Sequence, residues 1–510
     1  MNEYLDDKSS SDAVHELDKH VKSTIHDPES PIPLADEVTG EFEEMIALAG
    51  TVGTGLFLSS GRAIAHSGPL GAFLGYLVMR CVAGTVTLAV GEMGALIPLN
   101  GGMVRYAEYF VDPALAFANG YNVVYSYLVS IPAELVAAAV LVQFWSDLNS
   151  AIWITIFGLV MLCTTLVFVR VYGELEFFFS MMKILLIIGV NIMALVITCG
   201  GGPDYKSIGF QYWRNPGPFV QYLGIGGAIG RFLGVWTSLN SALYAYSGIE
   251  TITVAAAETK SPRQAIPMAA KRIFFRILIF YIISIFMVGL VVPSNDSRLS
   301  NSSGTASESP FVIAATLAGI KVVASIINAV IITSAWSSGN SNILGGSRVL
   351  VGLAMNGQAP KFFTRLNRFT VPWVAISFYG LFMCLGYMSL SATASTVFEW
   401  LQDLVSITTL TNWLSILVTW ASLIMLTLLL ITGGYSTFIK GHWDKETFIS
   451  SYINIPLFLI LYFGYKFIRK TKIIPLEDIP IQPFIDIANR NPEPQPKLKK
   501  GLHKLNILWN

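Results

Sequence analysis

Residues 48–57 read Leu-Ala-Gly-Thr-Val-Gly-Thr-Gly-Leu-Phe, inside an apolar run that extends from Met45 to about Ala65. The run is long enough to cross a bilayer as a helix. Each glycine in a helix interior costs about 1 kcal/mol relative to alanine, so this span carries its own weak point near its middle. Unwinding there frees amide N–H groups, and such a gap is tolerated at membrane depth only where protein or a polar cavity lines it. The stretch therefore predicts a membrane helix that breaks at Thr51, Gly53, Thr54 and Gly55.

The rest of the 510-residue chain fits that setting. It is 53% hydrophobic and 13% charged, too apolar for a water-soluble domain. Apolar segments recur at 45–66, 70–98, 117–145, 151–169, 177–199, 234–257, 274–293, 322–345, 372–390, 397–432 and 452–468. No ten-residue alternation suggests a barrel, so the expectation is an all-α polytopic membrane protein in a lipid bilayer. Net charge is zero, which gives no field for nucleic acid. Cys81, Cys163, Cys199 and Cys384 stand far apart without CxxC or His/Cys spacing, so neither a disulfide framework nor a metal site is expected. No paired catalytic residues or His/Asp cluster suggests an enzyme, and no cofactor is implied.

Charge placement sets domains and sides. Residues 1–44 are acidic and lack an apolar signal core, which predicts a disordered soluble tail and a first span that itself directs insertion. The transmembrane domain is placed at 45–468 and a second tail at 469–510. Basic residues gather at 260–276, at Arg348, Lys361, Arg365 and Arg368, and at Lys466, Arg469, Lys470 and Lys472; these connections and both tails are expected in the cytoplasm. The loop 294–310 holds the sequons Asn295-Asp-Ser297 and Asn301-Ser-Ser303, as suits the opposite side. The run 397–432 conflicts with a single crossing. As one helix it would be about 54 Å long, and two cytoplasmic flanks need an even number of crossings. It is expected to cross twice as a shortened pair, unless the tail lies outside or the chain lacks a segment.

Transporters built from inverted repeats carry interrupted helices at corresponding positions of their two halves, with substrate between them. A second interruption is therefore sought five spans on, and Tyr244-Ala-Tyr-Ser-Gly-Ile-Glu-Thr251 supplies a flexible turn and a carboxylate within 234–257. Intramembrane ionisable residues are functional candidates: Glu250 beside the second break as first choice for a proton carrier, and Glu134 in the third span as the second. Lys183 either snorkels to the edge of its span or turns inward as a buried ammonium. The polar set Ser334–Asn342 either lines a pathway or bonds helix to helix.

From about residue 45 to 420 the chain resembles the fungal amino acid permeases of the amino acid-polyamine-organocation superfamily. The resemblance rests on Met45 through Phe57, Gly91-Glu-Met93, Pro132-Ala-Glu-Leu-Val-Ala-Ala-Ala139, Gly209 through Gly217 and Glu258 through Pro267. Val171 through Phe177, Val292 through Asp296 and Thr333 through Asn340 look most like the branch that includes the dicarboxylic amino acid permeases. The resemblance implies a sodium-leucine-transporter-like core of two inverted five-helix repeats plus two extra helices, here with the last pair shortened. It implies proton-coupled import of amino acids, acidic or broad in range, at the plasma membrane. Amides around Thr51, Gly53, Thr54 and Gly55 would hold the substrate carboxylate, and Ala245, Tyr246, Ser247 and Gly248 its amino group. Glu250 matches the family's glutamate after the second break, and Lys183 matches a lysine that takes the place of a sodium ion. Relatives have a basic loop between their tenth and eleventh spans, whereas here Trp420 runs directly into Ala-Ser-Leu-Ile-Met425. A nutrient receptor signalling without flux is the other reading. Ubiquitin ligase machinery is expected to act on the first tail at Lys8, Lys19 or Lys22.

Overall fold

A computed structural model describes residues 53–96, 102–146, 148–167, 169–203, 205–249, 278–299, 309–369, 371–415 and 419–475, with positions 268, 270, 271, 275, 477, 479 and 482. Thr51 and Glu250 lie outside the described residues, as do both tails through residue 52 and from residue 483, and most of the basic connection at 250–277. Among the described residues there are helices and no strand. Among the described residues, seven helices are long and apolar enough to cross a membrane. The chain is an all-α polytopic membrane protein.

The first helix, α1 (Thr54–Phe57), passes through one irregular residue, Leu58, into α2 (Ser59–Leu96). α2 contains two of the expected spans. They are divided at Gly68, whose φ of 79° an L residue adopts only with strain, just before Pro69. The segment 218–220 fills this break: Leu70 N–H donates to the Pro218 carbonyl at 3.1 Å, and Val220 N–H to the Ser67 carbonyl at 3.2 Å. A short amphipathic helix, α3 (Gly102–Phe110), leads to α4 (Pro113–Val142). α4 starts sharply because Asp112 accepts from the Ala114 N–H at 2.8 Å and Pro113 takes the first helical position. Next come α5 (Ser150–Val167), α6 (Val169–Thr198) and α7 (Gly227–Tyr246). α8 (Ile283–Val291) and α9 (Pro310–Leu317) precede the long α10 (Lys321–Met355). α11 (Trp373–Phe382) continues as a 3₁₀ stretch to Leu390, and α12 covers Ala394–Leu414.

α6 shows how a helix that is apolar all round chooses its faces. Phe178, Leu185 and Ile192, two turns apart, are each more than half exposed, as lipid contact requires, while Glu176, Ser180, Lys183, Ile187 and Val190 face inward and are buried. The inner layer consists of α2 against α7, and of α4 against α10 and α12.

The 397–432 run is two helices, α12 and α13 (Trp420–Thr432). α13 climbs back along the bundle. Ser422 bonds Thr85 at 2.7 Å, Trp236 Nε1 donates to Thr432 at 2.9 Å, and the Tyr435 hydroxyl donates to the Leu233 carbonyl at 2.8 Å. α14 (Lys445–Tyr452) and α15 (Asn454–Arg469) then return, and Lys466 bonds Asp112 at the foot of α4. The same end carries the loop after α10, since the Tyr121 hydroxyl donates to the Gln358 carbonyl at 2.8 Å. The loop basic residues from Lys361 and those from Lys466 thus share one end. Asn295 of the first sequon lines a cavity of about 350 Å³ with His66 and Tyr222, at the end where Gly68 turns. The run thus holds two helices, as a shortened pair would, and its second member, at thirteen residues, is only about 20 Å long.

Candidate functional site

The helix ends at the two expected interruptions meet. Gly53 is extended (φ −148°, ψ −154°) and α1 begins at Thr54, so Thr54 and Gly55 are themselves helical, and the part of the span before Gly53 lies outside the described residues. α7 ends at Tyr246, midway along its apolar segment; Ser247 leaves the helix at ψ 146° and Gly248 turns at φ 87°. The two helix ends touch backbone to backbone. A Cβ on Gly55 would lie 2.6 Å from the Ala245 Cα and 3.1 Å from its nitrogen; a side chain there would push the helix ends apart.

Glu134 closes the site from α4. It is 6% exposed, and its carboxylate accepts from Thr54 Oγ1, which lies 3.1 Å from both oxygens, and from Ser338 Oγ at 3.0 Å. The Tyr244 hydroxyl lies 3.2 Å from Thr54 Oγ1, so with the threonine proton given to Glu134 the tyrosine donates to Thr54. A Cβ on Gly53 would sit 3.8 Å from Ser338 Oγ and 4.0 Å from Glu134 Oε1, which puts the carboxylate against the first break.

Lys183 turns inward. It is 2% exposed and its ammonium donates to Ser337 Oγ at 3.3 Å, while Ser337 donates to Glu176 Oε2 at 2.6 Å. Ser337 and Ser338 are adjacent on α10, so that helix places its hydroxyls between the lysine cluster and Glu134. The Ser334–Asn342 set is divided in use. Ser337, Ser338 and Ser341 reach carboxylates, whereas Asn340 bonds Thr164 of α5 at 2.8 Å.

Of the residues expected to contact substrate, Gly55 and Ala245 touch, Gly53 and Thr54 lie against Glu134, and Ser247 and Gly248 form the turn that ends α7. The Tyr246 side chain points elsewhere, donating to the Tyr76 carbonyl at 3.2 Å and stacking on Tyr281. Only its backbone faces the break. Tyr244, quoted in the motif but given no role, is the tyrosine that reaches the site. Glu176 was also missed, although an acid seven residues before Lys183 on one helix shares its face. A third omission is an ion cluster: Arg62 Nη1 lies 3.0 Å from Asp403 Oδ1, and Arg62 Nε lies 3.9 Å from Glu399 Oε2. Three ionisable residues inside apolar segments, two of them at i,i+4 spacing, were the available signal. Among the described residues no group of three or more His, Cys, Asp or Glu is placed to hold a metal ion.

A membrane bundle with two facing helix breaks and a buried carboxylate between them can be compared with known proteins. The family described as "Amino acid permease" matches residues 44–420 and 413–476. The chain belongs to that family. Its match falls into two pieces that meet at 413–420, where α12 gives way to the short α13. This permease is 33% identical over 499 residues to the proline-specific permease of Saccharomyces cerevisiae, covering 90% of this chain and 79% of that one. It is 33% identical over 485 residues to the dicarboxylic amino acid permease of the same yeast (88% and 80% covered). It is 37% identical over 452 residues to a probable proline-specific permease of Schizosaccharomyces pombe (82% of each). A solved structure of a sodium-coupled sialic acid symporter aligns with a TM-score of 0.48 at 14% identity, covering 87% of this chain and 96% of that one.

Proposed function

We propose that this permease imports an α-amino acid together with protons across the plasma membrane, by alternating access around the contact between Gly55 and Ala245. The observation that carries the reading is Glu134: a carboxylate buried in the bundle, held by hydroxyls of α1 and α10 and set against the first break. A carboxyl partnered by Thr54 and Ser338 can gain or lose a proton by rotation of a hydroxyl, and its bond to Thr54 links that proton to the position of α1. Substrate carboxylate would be held by the amides from Thr51 to Gly55, and its amino group by the backbone from Ala245 to Gly248. The buried ammonium of Lys183 supports proton rather than sodium coupling, since a fixed positive charge stands in that polar pocket. Glu250 is the alternative carrier. The end bearing Lys361 and Lys466 faces the cytoplasm on this reading, with Lys8, Lys19 and Lys22 open to ubiquitin ligase machinery.

The names of the relatives, proline-specific, dicarboxylic and basic among them, support an amino acid as the substrate class. Of the cations near the site, Arg62 is paired with Asp403, and Lys183 lies in the field of Glu176 and Glu134, which favours a neutral substrate side chain over an acidic one. The test is uptake of labelled amino acids with pH clamped on both sides. Concentrative uptake should follow an inward proton gradient, and Glu134→Gln should reduce it about a hundredfold, equivalent to about 2.7 kcal/mol, while exchange survives. Unchanged concentrative uptake and proton influx in Glu134→Gln would remove Glu134 from this role.

A further inference from the structure

α12 presents two adjacent stripes to the site. Glu399 and Asp403 face Arg62 of α2. Phe398, Gln402 and Ser406, each one turn apart, face α7: the Phe398 ring meets the Tyr244 ring edge-on at 5.9 Å, and Ser406 Oγ donates to the Asn240 carbonyl at 3.4 Å. Gln402 lies on the same stripe, one turn from each of these contacts, and the Tyr244 that Phe398 meets is the tyrosine whose hydroxyl bonds Thr54. It is 1% exposed, and neither its amide nitrogen nor its amide oxygen has a hydrogen-bond partner. A buried primary amide with two donors and two lone pairs unused is rare in a folded protein. Its stripe meets α7 at Tyr244, in the last turn before the helix ends, which suggests that the missing partner arrives with the substrate.

We propose that Gln402 reads the side chain of the substrate, and that this site takes an α-amino acid with a neutral carboxamide side chain. The assignment rests on the importer reading above and names its substrate class. A carboxamide is planar, with one acceptor and one donor group at the tip, so it pairs with Gln402 through two antiparallel N–H···O bonds and satisfies both halves of the amide. A carboxylate would satisfy only the Gln402 nitrogen and would lie beside Asp403, whose counter-charge Arg62 is already engaged. An ammonium would satisfy only the oxygen. An aliphatic side chain would satisfy neither, and a site built to bond a polar group rejects the analogue that lacks it far more strongly than an apolar site rejects a polar isostere.

The experiment compares L-asparagine with L-leucine, whose side chains have nearly the same shape and differ in the amide, using the full chain. Uptake in cells is measured by competition with labelled amino acid, and binding to the purified protein by thermal shift. In the wild type, asparagine should compete at least tenfold more strongly than leucine. Gln402→Leu should lower the asparagine-to-leucine ratio at least tenfold in both readouts. Equal competition by the two in the wild type overturns the proposal, as does an unchanged ratio in a Gln402→Leu protein that reaches the cell surface. Where that variant does not reach the surface, the wild-type ratio decides alone. Asparagine-selective binding without uptake would overturn the importer reading and leave the carboxamide assignment standing, whereas uptake without discrimination would do the reverse.

Discussion

Two carboxylate clusters lie inside the bundle and are built on opposite terms. Asp403 and Glu399 share the Arg62 guanidinium, a fixed charge that compensates fixed charges across α2 and α12. Glu134 is held by the hydroxyls of Thr54 and Ser338, groups that can donate or accept. The first arrangement ties two helices together as long as all three groups stay ionised. The second tolerates a change of charge with little rearrangement. On the proposed reading the two serve different ends: an ionic tie that holds helices in one arrangement, and one carboxyl that exchanges a proton.

The contrast can be broken most severely at its ionic side. Arg62→Met leaves two carboxylates without a counter-charge, and loss of one partner of a buried pair costs about 3–5 kcal/mol. Because these side chains keep some water contact, a value near 3 kcal/mol is expected, read as a large drop in melting temperature of the detergent-solubilised protein. Adding Glu399→Gln and Asp403→Asn should recover most of it; failure to recover would show that Arg62 acts through packing instead. At the hydroxyl side, Thr54→Val removes a donor to the carboxylate and the acceptor of Tyr244. A hydrogen bond to a charged group is worth about 1.5–3 kcal/mol, so concentrative uptake should fall by at least tenfold with a smaller change in melting temperature. Ser338→Ala removes one donor to the same carboxylate and leaves Tyr244 bonded to Thr54, so uptake should fall by roughly tenfold, about 1.5 kcal/mol, the low end of that range. Equal thermal losses in Thr54→Val and Arg62→Met would erase the distinction between the clusters.

The smallest effect is expected at the end of the bundle, where Asp112 caps α4 and bonds Lys466. Burial raises the carboxyl, but hydrogen bonds from Lys466 and the Ala114 N–H outweigh it and hold the group below its ordinary value. A carboxyl with a depressed folded value contributes stability that is present above the unfolded value, near pH 4, and is lost as pH falls through the folded value. Asp112→Asn keeps the cap and loses the charge, so it should cost about 1 kcal/mol at neutral pH and nothing once Asp112 is itself protonated. Melting temperatures of both proteins between pH 7 and pH 3 would show the difference shrink.

Much of this was legible from residue order alone. Span positions followed from runs of about twenty apolar residues, because hydrocarbon thickness sets helix length. The helix ends at Thr54 and Tyr246 fall where glycines and small polar residues made a continuous helix unfavourable. Lys183 was ambiguous, since a lysine six residues into a span can reach the interface as easily as the interior; Ser337 and Glu176 decide it. Tyr244 and Tyr246 differ by two positions on one helix, which places them about 160° apart, and the sequence had no means to say which faced the break. That 397–432 holds a pair of helices was expected from parity, but where the chain turned was not, because from Leu404 to Thr432 there is no charge, glycine or proline to act as punctuation.

The sequence by itself determined that this chain is a helical membrane protein, and it named the apolar segments, the weak points at Thr54 and Tyr246 and the candidate ionisable groups, because each of these depends on local length, propensity and charge. Only the tertiary structure decided which helix faces meet. Glu134 came to lie on Thr54 and Ser338, Arg62 on Asp403, and Gln402 beside α7 without a partner. Those pairings join residues tens to hundreds of positions apart, and in helices apolar on every side no period in the sequence marks the inward face; packing against the neighbouring helices sets it.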